Sequence, residues 1–393
     1  MNKEWEKWTE NELEQFQKLF IEWYEKEKRN LPWRYDQDPY RIWISEIMLQ
    51  QTRVDTVIDY FYRFMEWFPT IKALADAPEE KLLKAWEGLG YYSRVRNIQA
   101  AARQIMSEFG GEMPRTPKAI STLKGIGPYT TGAIASIAFG LPEPAIDGNV
   151  MRVVSRLFCI EADIAKASSR KIFDEAMRKI IDKQYPGEFN QALMDLGSAI
   201  CTPTSPSCDQ CPIQSFCLAY KKQEQTLFPV KTKKAKPKDV YYVCAALQNK
   251  EGAYYFKERH NQKLLANMWT FPMMEVSKEK YEWLKIEWAQ AYEPNLFDQE
   301  KVAEEETALP FDFKDQVIWQ KRHLGEVSHI FSHLKWHVLL FYGRVPSLLS
   351  ESFQETKITR WLMPDDFDHV TFPKVQVKVN EQLEKNRNNS NPF

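Results

Sequence analysis

Four cysteines crowd into 17 residues, Cys201, Cys208, Cys211 and Cys217, separated by six, two and five residues. The loop that carries them is broken by prolines at 203, 206 and 212, so it cannot be a regular helix or a central strand. It must close around something or be cross-linked. The amino terminus, MNKEWEKWTENELEQ, is polar and acidic, unlike a basic export leader with an apolar core. In a reducing compartment such a cluster binds metal rather than forming disulfides. Four thiolates suit zinc or an iron–sulfur cluster; a single CxxC between wider, unequal gaps differs from the paired knuckles of structural zinc and favours iron–sulfur. The other two thiols, Cys159 in RLFCI and Cys244 in YVCAAL, read as small buried hydrophobes.

At 393 residues the chain has room for two or three domains of about 150 residues each. With 44% hydrophobic and 27% charged residues, disordered, collagenous and coiled-coil classes are excluded. No run of about 18 apolar residues is present, so no membrane span is expected. The net charge of −1 offers no bulk attraction for a polyanion, which must be held by local patches. The one strongly biased segment is TLFPVKTKKAKPK, residues 226–238, with five basic and no acidic side chains; it reads as an extended connector. Before it, apolar residues recur at three and four, as in Val54, Val57, Ile58, Phe61, Phe64, Met65 and Phe68, so residues 1–225 are expected to be all-α. After it, β-rich runs at 241–247, 254–257 and 338–345 surround a turn at Asn249–Gly252, and helical spacing returns near 280–292 and after Pro373. Residues 239–393 therefore read as α+β.

Three motifs in the helical half bear on chemistry. Leu123-Lys-Gly-Ile-Gly-Pro-Tyr129 interrupts two helical stretches: Gly125 and Gly127 allow close backbone approach, and Pro128 suits a first helical turn. Such a turn is either a ligand-free α–α corner or an amide site for a phosphate oxygen. Asp147, in AIDGNV, precedes the helical run VMRVVSRLF and is read alone as an N-cap. Glu46 interrupts Trp43, Ile44, Ile47, Met48 and Leu49; taken alone it is a solvent-side glutamate.

Together these motifs resemble a known family. The cysteine spacing is that of the iron–sulfur loop of endonuclease III-type DNA glycosylases, residues 123–129 are similar to their helix-hairpin-helix, and SEIMLQQT, residues 45–52, resembles the corresponding run of the MutY branch, which excises adenine. The resemblance implies one 4Fe–4S cluster on the four cysteines. It implies a monomer acting on double-stranded DNA that contains A:8-oxoG or A:G mispairs, in the cytoplasm at the nucleoid. Purine release builds negative charge on the base and positive charge on the sugar, which calls for a proton donor and an anion. Glu46 is expected to be the acid, its pKa raised by apolar neighbours, and later to help activate water. Asp147 is expected to face the sugar as an anion or transient nucleophile. Tyr129 stands where lyase members carry a nucleophilic lysine, which implies a monofunctional enzyme; Tyr129 and Asn149 are further active-site candidates. Lys124 is expected at solvent or phosphate. Gln51 and Tyr91 are the expected plugs of the gap left by a flipped base, and Trp33, Arg34 and Leu49 the expected adenine pocket.

In the second half, LLANMWTFP, residues 264–272, resembles the opening of a Nudix-type fold, but residues 273–292 lack the acidic magnesium box, so binding rather than pyrophosphate hydrolysis is expected. Phe331-Ser332-His333 is similar to the MutY loop that contacts 8-oxoguanine; its plain alternative is a strand with two histidines on one face. Two other readings stay open here. One is an endonuclease III-like lyase acting on oxidised pyrimidines, the other a non-catalytic damage sensor.

Overall fold

The computed structural model describes residues 3–233, 235–260, 264–286, 309–346 and 353–387. Its chain divides into two units, Met1–Lys234 and Ala235–Phe393. The first is helical. Its helices are α1 (Glu10–Glu27), α2 (Pro39–Met48), α3 (Val54–Trp67), α4 (Ile71–Asp76), α5 (Glu79–Ala85) and α6 (Ser93–Glu108), followed by α7 (Pro117–Ile120), α8 (Pro128–Ala133), α9 (Gly148–Phe158), α10 (Arg170–Ile180), α11 (Pro186–Ala199) and α12 (Leu218–Lys221).

The helix starts follow local chemistry. Thr9 and Glu12 form a reciprocal capping box on α1, and the Asp38 carboxylate caps α2 just before Pro39. The three-and-four spacing of α3 puts Val57, Phe61 and Phe64 inside. One core joins Phe16 and Phe20 of α1 to Val150, Val154 and Leu157 of α9 and Phe189, Leu193 and Leu196 of α11. After α8 the chain widens into one π-helical turn, Ile134–Ala138, a feature common beside functional sites.

Among the described residues the second unit holds a mixed eight-stranded sheet: β1 (Lys238–Gln248), β2 (Tyr254–Glu258), β3 (Trp269–Thr270), β4 (Met273–Val276), β5 (Ile318–Trp319), β6 (Glu326–Ile330), β7 (Leu334–Arg344) and β8 (Thr359–Leu362). β1 and β7 run parallel in unbroken register from Lys238↔Leu334 to Gln248↔Arg344. Both faces of this pair are covered, as parallel strands require. Cys244 and Ala246 face the core shared with α14 (Lys374–Arg387), while Val243, Ala245 and Leu247 face α13 (Lys278–Ile286). The unbroken apolar run of β1 is thus a strand buried on two sides. The expected hairpin turn is present, with Gly252 in the left-handed region at φ 94°.

The division after Lys234 falls inside residues 226–238, the expected connector, whose described lysines are exposed. It is tied at points: the Phe228 carbonyl accepts from Arg156, the Val230 carbonyl accepts from the Ile164 amide, the Thr232 amide and hydroxyl donate to Asp163, and Lys238 already opens β1. One expectation needs correction. Cys159 is only half-buried: it caps the C-terminus of α9 at φ 50°, a position set by backbone geometry rather than apolar packing. Cys244 is fully buried. The expected second-half helix runs Lys278–Ile286, and residues 287–292 lie outside the described residues.

Candidate active site

Glu46 lies in the last turn of α2, where every residue from Ile42 to Met48 is buried. The solvent-side reading is therefore wrong: Glu46 is 5% exposed. It borders a cavity of about 570 Å³ that Tyr129, Asp147, Asn149, Trp33, Arg34, Leu49 and Gln51 also line. Residues from four separate stretches of chain thus meet at one place.

Tyr129 enters from the first turn of α8, directly after the hairpin, and its hydroxyl donates to Oε2 of Glu46. Asp147 is both the N-cap of α9 and a cavity wall. Its Oδ1 accepts from the Val150 amide at 2.7 Å and its Oδ2 from Nδ2 of Asn149 at 3.0 Å. Burial pushes the Glu46 carboxyl up to about 7; the Tyr129 hydrogen bond and the Arg34 charge draw it back, and the nearby Asp147 adds to the rise. Burial also raises Asp147, against the pull of the Val150 and Asn149 hydrogen bonds. Tyr129 is raised by burial and then by the two neighbouring acids, so it stays a neutral donor.

Trp33, Arg34 and Leu49, the expected pocket residues, all line the cavity. Trp33 is buried edge-on against Phe61, with ring centroids 5.4 Å apart. Arg34 directs Nη1 and Nη2 at Asp195, at 2.7 and 3.1 Å, so these donors are already engaged. Sequence reasoning missed Asp195, Arg29, which binds the same carboxylate, and Asn190. Fully buried Asn190 accepts from the Ala145 amide and donates to the Glu143 carbonyl, fixing the segment that leads to Asp147.

In the hairpin, Gly125 adopts φ 77°, and a Cβ there would lie 2.6 Å from Cβ of Asn97. Gly127 opens α8, is exposed, and would have no atom within 4 Å of an added Cβ. Lys124 is exposed, as expected. Gln51 and Tyr91 are exposed non-glycine residues in the left-handed region, at φ 61° and 49°. Tyr91 does not line the cavity. Arg94, also missed, joins the two turns: it donates to the carbonyls of Ile47, Met48 and Gln50 on one side and of Leu89 and Gly90 on the other.

All four cysteines of the loop line a single small pocket with Arg156 and Gln214. Arg156 donates through Nη1 to Sγ of Cys201 at 3.3 Å and to the Thr202 carbonyl, and through Nη2 to that of Pro203. Burial pushes Cys211 up to about 12 and Cys217 to about 11, so these thiols become thiolates when a cationic centre compensates. Arg152, one turn before Arg156, donates to Oδ1 of Asn149 and to the carbonyls of Gly197 and Cys201. Both arginines sit inside the apolar run VMRVVSRLF, and a charge inside such a run was the available signal.

In the second unit, Phe331, Ser332 and His333 form the tip between antiparallel β6 and β7 rather than part of a strand. Ser332 and His333 are exposed, and Phe331 is half-buried.

This combination defines a helix-hairpin-helix DNA glycosylase with an iron–sulfur loop, carried in one chain with a Nudix-type domain. Residues 44–179 match the HhH-GPD superfamily of base excision DNA repair proteins, 201–217 the iron–sulfur binding domain of endonuclease III, and 243–382 the NUDIX domain. The chain is 34% identical to the adenine DNA glycosylase of Rattus norvegicus, over 95% of this chain and 78% of that one. It is 31% identical to that of Buchnera aphidicola subsp. Schizaphis graminum, over 93% and 98%. A structure of endonuclease III trapped covalently on DNA is similar at 25% identity, with a TM-score of 0.47 over 55% of this chain and 99% of that one.

The chain belongs to the adenine DNA glycosylase family. It removes adenine from duplex DNA in base excision repair and carries a 4Fe–4S cluster. The thiolates of Cys201, Cys208, Cys211 and Cys217 would hold that cluster, leaving no open position for substrate, and it would cross-link the loop.

Two predictions follow from this geometry. Arg156→Leu leaves the Cys201 sulfur and four carbonyls without their donor, and the purified protein should lose most of its iron and visible absorbance while far-UV circular dichroism still reports helix; full iron content would refute the role. Glu46 should cost stability. Below pH 4.5 its carboxyl is protonated both folded and unfolded; between 4.5 and about 7 the unfolded chain ionises first, and above that the folded state is weakened by roughly 3 kcal/mol. Glu46→Gln should therefore raise Tm more at pH 8 than at pH 5, and equal gains at both would contradict the buried acid.

Proposed function

We propose that the enzyme excises adenine paired with 8-oxoguanine or guanine by monofunctional hydrolysis, with Glu46 as acid and then base and Asp147 as the sugar-facing anion. The observation that carries this reading is that two carboxylates with different surroundings share one cavity. Glu46, raised to about 7, gives its proton to N7 of adenine as the bond from N9 to C1′ breaks and its electrons pass to the base. Positive charge on the sugar is met by Asp147, whose two oxygens already accept from Val150 and Asn149. Water adds to C1′ and passes a proton to Glu46, restoring the acid. Tyr129 holds Glu46 in place and offers no amine for a Schiff base, which opposes the lyase reading.

Trp33, Arg34 and Leu49 line the adenine pocket, and Gln51 and Tyr91 fill the space vacated in the duplex. Gly125 and Gly127 bring backbone amides to a phosphate. The second domain, residues 239–393, reads the opposite base through Phe331, Ser332 and His333; residues 1–225 excise. Among the described residues no helix is long and apolar enough to cross a membrane, and the substrate puts the protein, as a monomer, with cellular DNA.

The test is single-turnover cleavage of a labelled duplex with one A:8-oxoG pair, developed with and without hot alkali, beside an A:T control. Strand breaks should appear only after alkali, and Glu46→Gln should slow them by about 10²–10⁴-fold. Breaks without alkali, or covalent trapping by borohydride, would favour a lyase; binding with no abasic product would favour a sensor. The rate should fall as pH rises through about 7, since the acid form is needed. Because the Tyr129 hydrogen bond lowers the pKa of Glu46, Tyr129→Phe should move that limb to higher pH; an unmoved limb would detach Glu46 from the profile.

A further inference from the structure

A second cavity, about 880 Å³, opens in the helical unit between the end of α1, the π-helical turn after α8 and the start of α11. It shares Arg29, Arg34, Ile137 and Gln191 as walls with the cavity of Glu46 and Asp147. The partition is ionic. Asp195, 4% exposed, binds both Arg29 and Arg34, and the Arg34 side chain is 12% exposed against 37% for Arg29. None of Gln51, Tyr91, Gly125 or Gly127, the expected DNA contacts, lines the second cavity.

We propose that the second cavity is the release route for free adenine, which passes Arg29 while the abasic duplex still covers the first cavity. This rests on adenine excision. Once the glycosidic bond is cut, the base is a neutral planar heterocycle whose way back is closed by the DNA it came from. The exposed rings of Tyr35 and Tyr185 line the second cavity and offer stacking faces, and Gln191 offers an amide within both. Swinging Arg29 aside does not strand the buried carboxylate, because Arg34 keeps a two-point contact with Asp195. The more exposed arginine is thus the movable leaf and the buried one the hinge post.

Ala138 and Glu188 line the second cavity alone, so Ala138→Trp or Glu188→Trp narrows it without touching the catalytic groups. A duplex with tritium in the adenine base is cut in a single turnover, and the enzyme–abasic DNA complex is collected on a filter. The wild-type complex should hold the abasic strand but little tritium. The narrowed variants should cut within about twofold of the wild-type rate yet retain about tenfold more tritium, and Arg29→Ala should retain no more than wild type. Tritium that stays with the wild-type complex until the duplex leaves, or equal retention in narrowed and wild-type enzyme, overturns the route. Failure to cut any adenine would overturn the excision reading instead, and if one tryptophan variant does not fold, the other and Arg29→Ala decide.

Discussion

Two guanidiniums on one face of α9 hold together segments that are distant in sequence. Arg152 reaches Asn149, Gly197 and Cys201; Arg156 reaches Cys201, Thr202, Pro203, Gln225 and Phe228. The carbonyls of a proline-broken loop have no ladder to join, so their geometry depends on donors supplied from outside, and a buried arginine stripped of such acceptors would be costly in turn. Each side therefore requires the other. From Asp147 to Arg156 the helix advances about 14 Å at 1.5 Å per residue, so the N-cap carboxylate and the iron–sulfur loop are attached to one rigid rod. A cluster held by the four cysteines would thereby bear on the proposed reaction, because the helix tied to its loop carries Asp147.

The other acid is held by the opposite logic. Asp147 meets donors on both oxygens, whereas Glu46 meets one phenol and is otherwise enclosed by the buried turn of α2. Burial raises both carboxyls, but two hydrogen-bond donors draw Asp147 back and one phenol draws back Glu46, and the proposed division into donor and anion rests on that difference. The helix gives up stability at neutral pH to keep Glu46 protonated, a loss that the aromatic and aliphatic core around α2 and α3 can absorb.

Much of this was legible in the chain. The apolar spacing of α3, the cysteine ladder, the Gly-x-Gly turn and the SEIMLQQT run each depend on local order, and local order is what a sequence displays. What stayed hidden was tertiary. Arg94, Arg152, Arg156 and Asn190 bond backbone groups far along the chain, Asp195 accepts from the equally distant Arg29 and Arg34, and nothing near them in sequence names the partner. Their one visible trace is polarity inside apolar helical runs, as with Asp195 in LMDLG. In residues 226–238 the lysines signalled solvent, as the exposed side chains show, but not that Val230 and Thr232 bond to Ile164 and Asp163.

The second unit places its candidate reading tip with equal economy of motion. The Phe331–His333 turn is closed by a bond from the Phe331 amide to the Leu334 carbonyl, and the Lys238 amide at the start of β1 donates to the His333 carbonyl. Phe331 packs on Trp336 at 4.9 Å, and Trp336 in turn lies against Tyr242 at 4.4 Å, with the Arg259 guanidinium 5.1 Å from its ring. Behind them stands the parallel pair β1 and β7, buried on both faces. A group that distinguishes one base edge from another by hydrogen bonds must hold its position to a fraction of an ångström. A turn tied at both ends and backed by aromatics packed edge-on and tilted meets that demand while leaving Ser332 and His333 exposed. On the proposed reading, a Nudix-type sheet without the acidic magnesium box would keep the rigid surface that both a hydrolase and a reader need and lose the means to cut.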